Sequence, residues 1–302
     1  MSSESRYNLK AEMLHIICRL LCWSGVPWLI REVYARRKVT IVNYHNPKPD
    51  LFERHLQFYV RHYTFVNIDQ VIDAIEDHTF SQLPTKSLLI TFDDGYIGNA
   101  DLFYLLQRYR IPAVIYAVAG VVNTTRDFWF DRLPHHGEAM RHLKDLSDNE
   151  RRMKLKDDYN HWDEKEYGRR SALSSDQLKY FVDIGGTVGS HTLFHPLLDH
   201  CKPEVGFVEC SASLDRLENL VGKPIVHFAL PNGNWNENVL DWVRRSGYHS
   251  CRANYPGWVT SKTSPFFLPN FPISDSADIY KVEIQACGLW YIFKRLLKKE
   301  KN

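Results

Sequence analysis

Residues 88–96 read LLITFDDGY. Leu88, Leu89, Ile90 and Thr91 are apolar or β-branched, as in a strand buried on both faces. Phe92 carries that strand into two adjacent carboxylates and a glycine. A buried parallel strand gains nothing structurally from Asp93 and Asp94 at its end, whereas α/β enzymes place their chemistry at the C-terminal ends of such strands. Two acids this close need a cation or a shared proton, which suggests one on a metal and the other acting as a base. An Asp-Gly turn after a core strand is the plain structural alternative.

Residues 188–196, VGSHTLFHP, shift the balance. Val188 closes a short strand, and His191 and His195 follow at i and i+4. That spacing predicts a helical turn with both imidazoles on one face, close enough to share an ion. Two nitrogens and one carboxylate leave open positions on a divalent metal, as a catalytic site requires.

TFDDGY at 91–96 together with SHTLFHP at 190–196 resembles the first two motifs of the polysaccharide deacetylase family, carbohydrate esterase family 4. The resemblance covers residues 39–274. VTIVNYH at 39–45, FWFDRL at 128–133 and FALPNG at 228–233 are similar to one branch, that of bacterial enzymes making surface polysaccharide and exopolysaccharide. It implies Asp93 as catalytic base and Asp94, His191 and His195 as ligands of one divalent metal. Zn2+ is the first expectation, with Co2+, Ni2+ or Fe2+ also suited to this donor set. The implied substrate is an acetylated amino-sugar glycan. The implied reaction is metal-assisted hydrolysis of its N-acetyl group, the oxyanion being held by the ion and a backbone N–H near Tyr96.

Four features set the chain apart from the pattern of many family members. Many members carry an Arg two residues before the proline of the third motif, where it orients the base; here that residue is Ala229, as in the exopolysaccharide branch. An aromatic often follows the proline, but Asn232 stands there, so Pro231, Asn232 and Gly233 are expected to line the substrate pocket with one ring fewer. The late Leu-Pro-Arg segment has Asn270 in the Arg position, and no His follows His249 to serve as general acid. His45, paired with Tyr44 as in the branch, is the remaining expectation for the group that protonates the leaving amine.

The fold class follows from the alternation of strands and helices. Strands are expected at 39–44, 64–66, 88–92, 112–118, 186–188, 225–230 and 248–252, with helices at 51–62, 70–76, 99–108, 176–182, 204–220 and 237–245. This rhythm predicts an α/β protein, a distorted (β/α) barrel of about seven parallel strands. Residues 121–172 interrupt it. They begin with the aromatic cluster Phe128, Trp129 and Phe130, and more than half of residues 138–170 are charged. A solvated helical excursion is expected there, with Trp129 near substrate, because sugar rings stack on aromatics, and the charged part outside.

With 302 residues and 44% apolar content the chain can bury a large α/β core. A net charge of +2 gives no nucleic-acid footprint. The six cysteines form no Cys-x-x-Cys pair, so free thiols are expected. The expected organisation is N-terminal amphipathic helices at 1–38, a catalytic domain at 39–275 and a basic amphipathic helix at 276–302. No signal peptide or membrane span is evident, so a cytoplasmic location is expected. Both terminal segments are expected to pack on the domain; the alternative is peripheral contact with the inner face of a membrane. Two rival functions stay open: a catalytically weak, glycan-binding scaffold, and a deformylase or deacetylase acting on a lipid- or nucleotide-linked sugar.

Overall fold

The computed structural model describes residues 3–133 and 137–299. The side chains of 3–11 and 295–299 lie outside the described residues, as do residues 300–302, and with them the basic end of the last helix (Arg295, Lys298, Lys299 and Lys301). The strands are β1 (Val39–Tyr44), β2 (Thr64–Phe65), β3 (Ser87–Phe92), β4 (Ala113–Ala117), β5 (Thr187–Ser190), β6 (His227–Ala229), β7 (Ser250–Arg252) and β8 (Phe271–Pro272). The helices are α1 (Ser3–Trp23), α2 (Val26–Leu29), α3 (Pro49–His62), α4 (Ile68–Glu76), α5 (Phe103–Tyr109), α6 (Glu138–Asp145), α7 (Asp148–Tyr159), α8 (Ser175–Asp183), α9 (Pro203–Val221), α10 (Glu237–Arg245), α11 (Ile279–Ala286) and α12 (Leu289–Lys299). Seven strands lie on the path β7-β6-β5-β4-β3-β1-β8, the parallel α/β class expected and consistent with a distorted (β/α) barrel. The chain divides into two compact units: residues 1–90, 255–263 and 269–302, and residues 91–254 and 264–268.

In the first unit every residue of β1 is buried, as a strand covered on both faces must be. β1 pairs with β8 through Val42↔Phe271, and β2 pairs with the start of β3 through Thr64↔Ser87. The Tyr44 hydroxyl shares a hydrogen bond with that of Tyr59 at 2.8 Å, while His55 Nε2 bonds the Ala277 carbonyl at 2.8 Å. Asn67 and Gln70 form a reciprocal capping box that starts α4, a feature worth about 1 kcal/mol. One face of α1 packs through Leu14, Cys18, Leu21 and Cys22 against Ile284, Cys287 and Leu289.

In the second unit β4 and β5 pair in register through Ile115↔Val188 and Ala117↔Ser190. β6 and β7 pair through Phe228↔Cys251 and Ala229↔Arg252. All five residues of β4 are buried, the continuous apolar pattern of a parallel strand. Gly189 is required in β5, since a Cβ there would stand 2.6 Å from the Tyr116 ring. Ser174 caps α8 through a capping box with Gln177. The expected helix over 99–108 is split: a 3-10 segment, Ile97–Leu102, precedes α5.

The excursion at 121–172 differs from the expected solvated appendage. Trp129, Leu133, Leu143 and Leu155 form a buried cluster of their own. Several of its charges are inside rather than outside. Asp148 and Arg151 are buried and ion-paired, and Arg152 reaches both Asp148 (2.7 Å) and the buried Glu209 of α9 (3.1 Å). All six cysteines are free thiols, four of them buried.

Candidate metal centre

The site is built where β3 and β5 end in the second unit. β3 delivers Asp93 and Asp94, and the chain then turns sharply: Gly95 N–H donates back to the Asp93 carbonyl at 2.8 Å. Asp94 itself has a φ of 69°. That left-handed conformation is uncommon outside glycine, and Asp is among the few residues that adopt it readily. Gly95 follows with φ 73°, and a Cβ on it would lie 3.2 Å from that of Ala117.

His191 and His195 do not lie on a helical turn. They belong to an irregular loop in which Thr192 (φ 69°) and His195 (φ 58°) are both left-handed. The convergence expected from the spacing is nonetheless present, with ring centroids 4.8 Å apart. Tertiary contacts replace the helix. The Thr192 hydroxyl accepts the His195 N–H at 2.9 Å, and Gly120 N–H donates to the Leu193 carbonyl at 2.7 Å. Glu209 Oε2 accepts two N–H groups from the loop, Leu193 at 3.0 Å and Phe194 at 2.8 Å.

His191 Nε2 lies 3.6 Å and His195 Nε2 3.5 Å from the same oxygen, Asp94 Oδ1. One ligand atom from each of the three lies within 4.8 Å of the others, and all three residues are buried. A metal fits this set. His191 Nδ1 contacts the Ala229 carbonyl at 2.9 Å, which can only accept, so Nδ1 carries the proton and the lone pair of Nε2 faces Asp94. Burial first, and then the neighbouring His191, hold His195 well below its ordinary pKa, favouring the neutral imidazole that a metal requires.

Asp93 is 5% exposed and sits 4.0 Å from His191 Nε2. Its Oδ1 accepts a short, charge-assisted hydrogen bond from the Arg252 guanidinium, itself 1% exposed. Arg252 was missed as a functional residue in the sequence, where Ala229 suggested a base without an orienting arginine. In the β6–β7 register Ala229 and Arg252 are partners. The guanidinium therefore comes from the neighbouring strand at the same level, while Ala229 contributes its carbonyl to His191. An arginine closing the strand expected at 248–252 was the one available signal. Arg252→Met is expected to lower kcat about 10- to 100-fold with metal content unchanged, and Arg252→Lys to restore part of the loss. Acetate release and metal analysis on the same preparations check this.

The remaining expected residues are placed as follows. Trp129 is buried rather than displayed as a wall; its indole N–H donates to the His195 carbonyl at 2.9 Å. The aromatic that faces His195 is Phe130, with centroids 4.6 Å apart. The Tyr96 hydroxyl donates to Asp131 at 3.0 Å. Pro231 is buried, and Asn232 (φ 56°) is exposed and accepts from the half-buried Lys144 ammonium at 2.6 Å. Burial pushes Lys144 below its ordinary pKa. His45 is exposed at the end of β1 in the first unit, its N–H held by Asp275 at 3.1 Å. Asn270, also in the first unit, is fully buried.

Glu209 was also missed, reading in sequence as one acid on an amphipathic helix. It is 4% exposed, and burial raises its pKa despite the two N–H donors. Glu209→Ala is expected to weaken metal affinity about 10- to 100-fold, the usual cost of losing a group that supports ligands. A purely structural role would lower the melting temperature without moving the metal affinity of the folded protein, so equilibrium dialysis separates the two.

Residues 81–251 match the polysaccharide deacetylase family. The chain belongs to that family. Its members are hydrolases of carbon–nitrogen bonds other than peptide bonds, and they are metal-dependent. Among curated proteins, YxkH of Bacillus subtilis (strain 168), whose name assigns it to the polysaccharide deacetylases without establishing an activity, is 22% identical over 190 residues. That match takes in 63% of this chain and 52% of YxkH, so the chain spans about half the length of this relative. Among solved structures, the Streptococcus pyogenes deacetylase PplD in complex with acetate superposes with a TM-score of 0.62 at 20% identity, covering 82% of this chain and 98% of PplD. The de-N-acetylase from Aggregatibacter actinomycetemcomitans superposes at 0.57 with 17% identity, covering 82% and 98%. The fold of the polysaccharide deacetylases is thus shared at low identity.

Proposed function

We propose that this protein removes an N-acetyl group from an amino sugar of a cell-surface glycan, in polysaccharide, oligosaccharide or lipid-linked form, using one divalent metal, with zinc the first choice. The observation that carries this reading is the convergence of Asp94, His191 and His195 beside a second carboxylate, Asp93, that is held by a buried arginine. A fold shared with a de-N-acetylase supports the choice of acyl group.

Asp94, His191 and His195 would hold the divalent ion, which would supply Lewis acidity toward the amide carbonyl and lower the pKa of water. Asp93 takes the proton of the attacking water, and Arg252 keeps its carboxylate aimed while this happens. A backbone N–H near Tyr96 meets the oxyanion that develops as the amide carbon becomes tetrahedral. The C–N bond then breaks, the amine departs with the proton that Asp93 took from the water, and acetate is the second product. Phe130, Asn232 and Lys144 supply one apolar and two polar surfaces around this chemistry for a sugar ring.

The scaffold reading rests on Asn232, Asn270 and the missing late histidine, and activity decides between it and the deacetylase. The test is acetate release from metal-reconstituted protein offered N-acetylhexosamine oligomers and lipid-linked amino sugars. Release is the expected result. Its absence from protein holding one metal per chain would overturn the deacetylase reading in favour of a glycan-binding one; formate from formylated sugars would favour the deformylase.

A further inference from the structure

The first unit carries a large apolar surface that its own core does not use. α1 is apolar on two faces. Leu14, Cys18, Leu21 and Cys22 dock on α11 and the start of α12. The other face continues through a break at Ser24 and Gly25 (φ 76°) into α2 and the single π-helical turn Ile30–Tyr34. Between Met13 and Tyr34, ten large hydrophobic side chains are 39–65% exposed, among them Ile16, Leu20, Trp23, Trp28, Leu29 and Val33. At about half exposure they present on the order of 900 Å², above the roughly 300–600 Å² of the largest patch on an ordinary monomer.

Charge narrows the choice of partner. No carboxylate occurs between Glu12 and Glu32, and Glu32 is itself paired with Arg31 and with Lys86 at 3.0 Å. The exposed cations around the patch are Arg19, Arg36 and Arg37, with Lys38 partly exposed. The Arg19 guanidinium lies 4.4 Å from the centre of the Trp23 ring, and the Lys38 ammonium 3.4 Å from that of Tyr34. Tryptophan and tyrosine rings with cations beside them suit the headgroup level of a bilayer. A second copy meeting this patch two-fold would bring together the arginines of both copies, with Glu12 the one exposed acid among the described residues of the segment to pair them.

We propose that α1, α2 and the turn after them form an interfacial anchor that lies in the surface of an anionic lipid bilayer. The anchor lies flat. No single described helix is long and apolar enough to cross a membrane; the two segments reach that length and apolarity only as a pair, they bend by 57° at the break, and the opposite side of α1 is occupied by protein. Arg31, 4% exposed, ties the end of the segment down through Glu283 at 3.1 Å. The anchor is independent of the chemistry at the metal centre and stands whether or not that centre removes acetyl groups.

The test is sedimentation of the full chain with vesicles of phosphatidylcholine alone and with about one third phosphatidylglycerol. At least about tenfold tighter binding to the anionic vesicles is expected, weakened by salt. The double substitution Ile16→Glu and Leu20→Glu, and separately Trp28→Glu, should each cost tenfold or more. These side chains are exposed, so circular dichroism and thermal melting should match the parent. If a variant folds poorly, quenching of the unmodified protein's tryptophan fluorescence by brominated lipid keeps the question open to refutation. Equal failure to bind both vesicle types, unchanged binding by the variants, or absence of quenching would overturn the anchor. A stable dimer that the same substitutions dissociate would overturn it in favour of self-association.

Discussion

The Asp94→Asn protein is expected to lose bound metal and acetate release together. Asp94 Oδ1 is the one oxygen that both imidazoles approach, at 3.6 and 3.5 Å. An amide oxygen there keeps the shape but not the charge that pairs with a cation. Asn also tolerates the left-handed backbone at φ 69°, so the turn into Gly95 survives and the effect is chemical rather than structural. Metal affinity should fall by more than about 100-fold, beyond what the loss of a supporting group costs. Turnover should fall by about 10³-fold or more, the equivalent of the several kcal/mol an ion supplies to a developing charge. Metal analysis after dialysis and acetate release on the same sample are the measurements. Retention of a full equivalent of metal would remove Asp94 from the ligand set.

The Asp93→Asn protein should behave differently, keeping its metal while kcat falls about 10²–10⁴-fold, the usual worth of a positioned general base. Its amide oxygen can still accept from Arg252, so the buried guanidinium keeps a partner and the fold is preserved. Asp93→Ala is the less informative variant. It would leave a buried cation without its carboxylate, at a cost of about 3–5 kcal/mol, and so confuse instability with lost catalysis. Full activity in Asp93→Asn would take Asp93 out of the mechanism. The contrast between neighbours is the stronger test: one substitution removes metal and turnover, the other turnover alone.

Much of this was legible in the chain, and the exceptions share a cause. The β3 motif and the two histidines could be read because each combines a local pattern with chemistry that a core does not need. The loop carrying the histidines could not. Its left-handed residues are imposed by Gly120 and Glu209, which are distant in sequence and bear no motif. Arg252 was hidden for a similar reason: its partner is 159 positions away, and only the register of two strands shows that it occupies the level of Ala229. At the N-terminus, periodicity places Met13, Ile16, Ile17, Leu20 and Leu21 on one apolar face expected to pack, whereas α1 docks through Leu14, Cys18, Leu21 and Cys22 and leaves the first four exposed.

The chain of contacts from Arg152 through Glu209 to the 193–194 backbone bears on how such proteins can be remodelled. Residues 121–172 look in sequence like decoration between two strands, the kind of segment trimmed or exchanged to alter substrate preference. Here the excursion also contributes Trp129, which holds the carbonyl of His195. Excising it would strand a carboxylate inside α9 and unmoor a ligand loop at both ends. The working edge of the enzyme and its most variable-looking segment are one mechanical part, and a graft in this region has to carry its own replacement for both attachments.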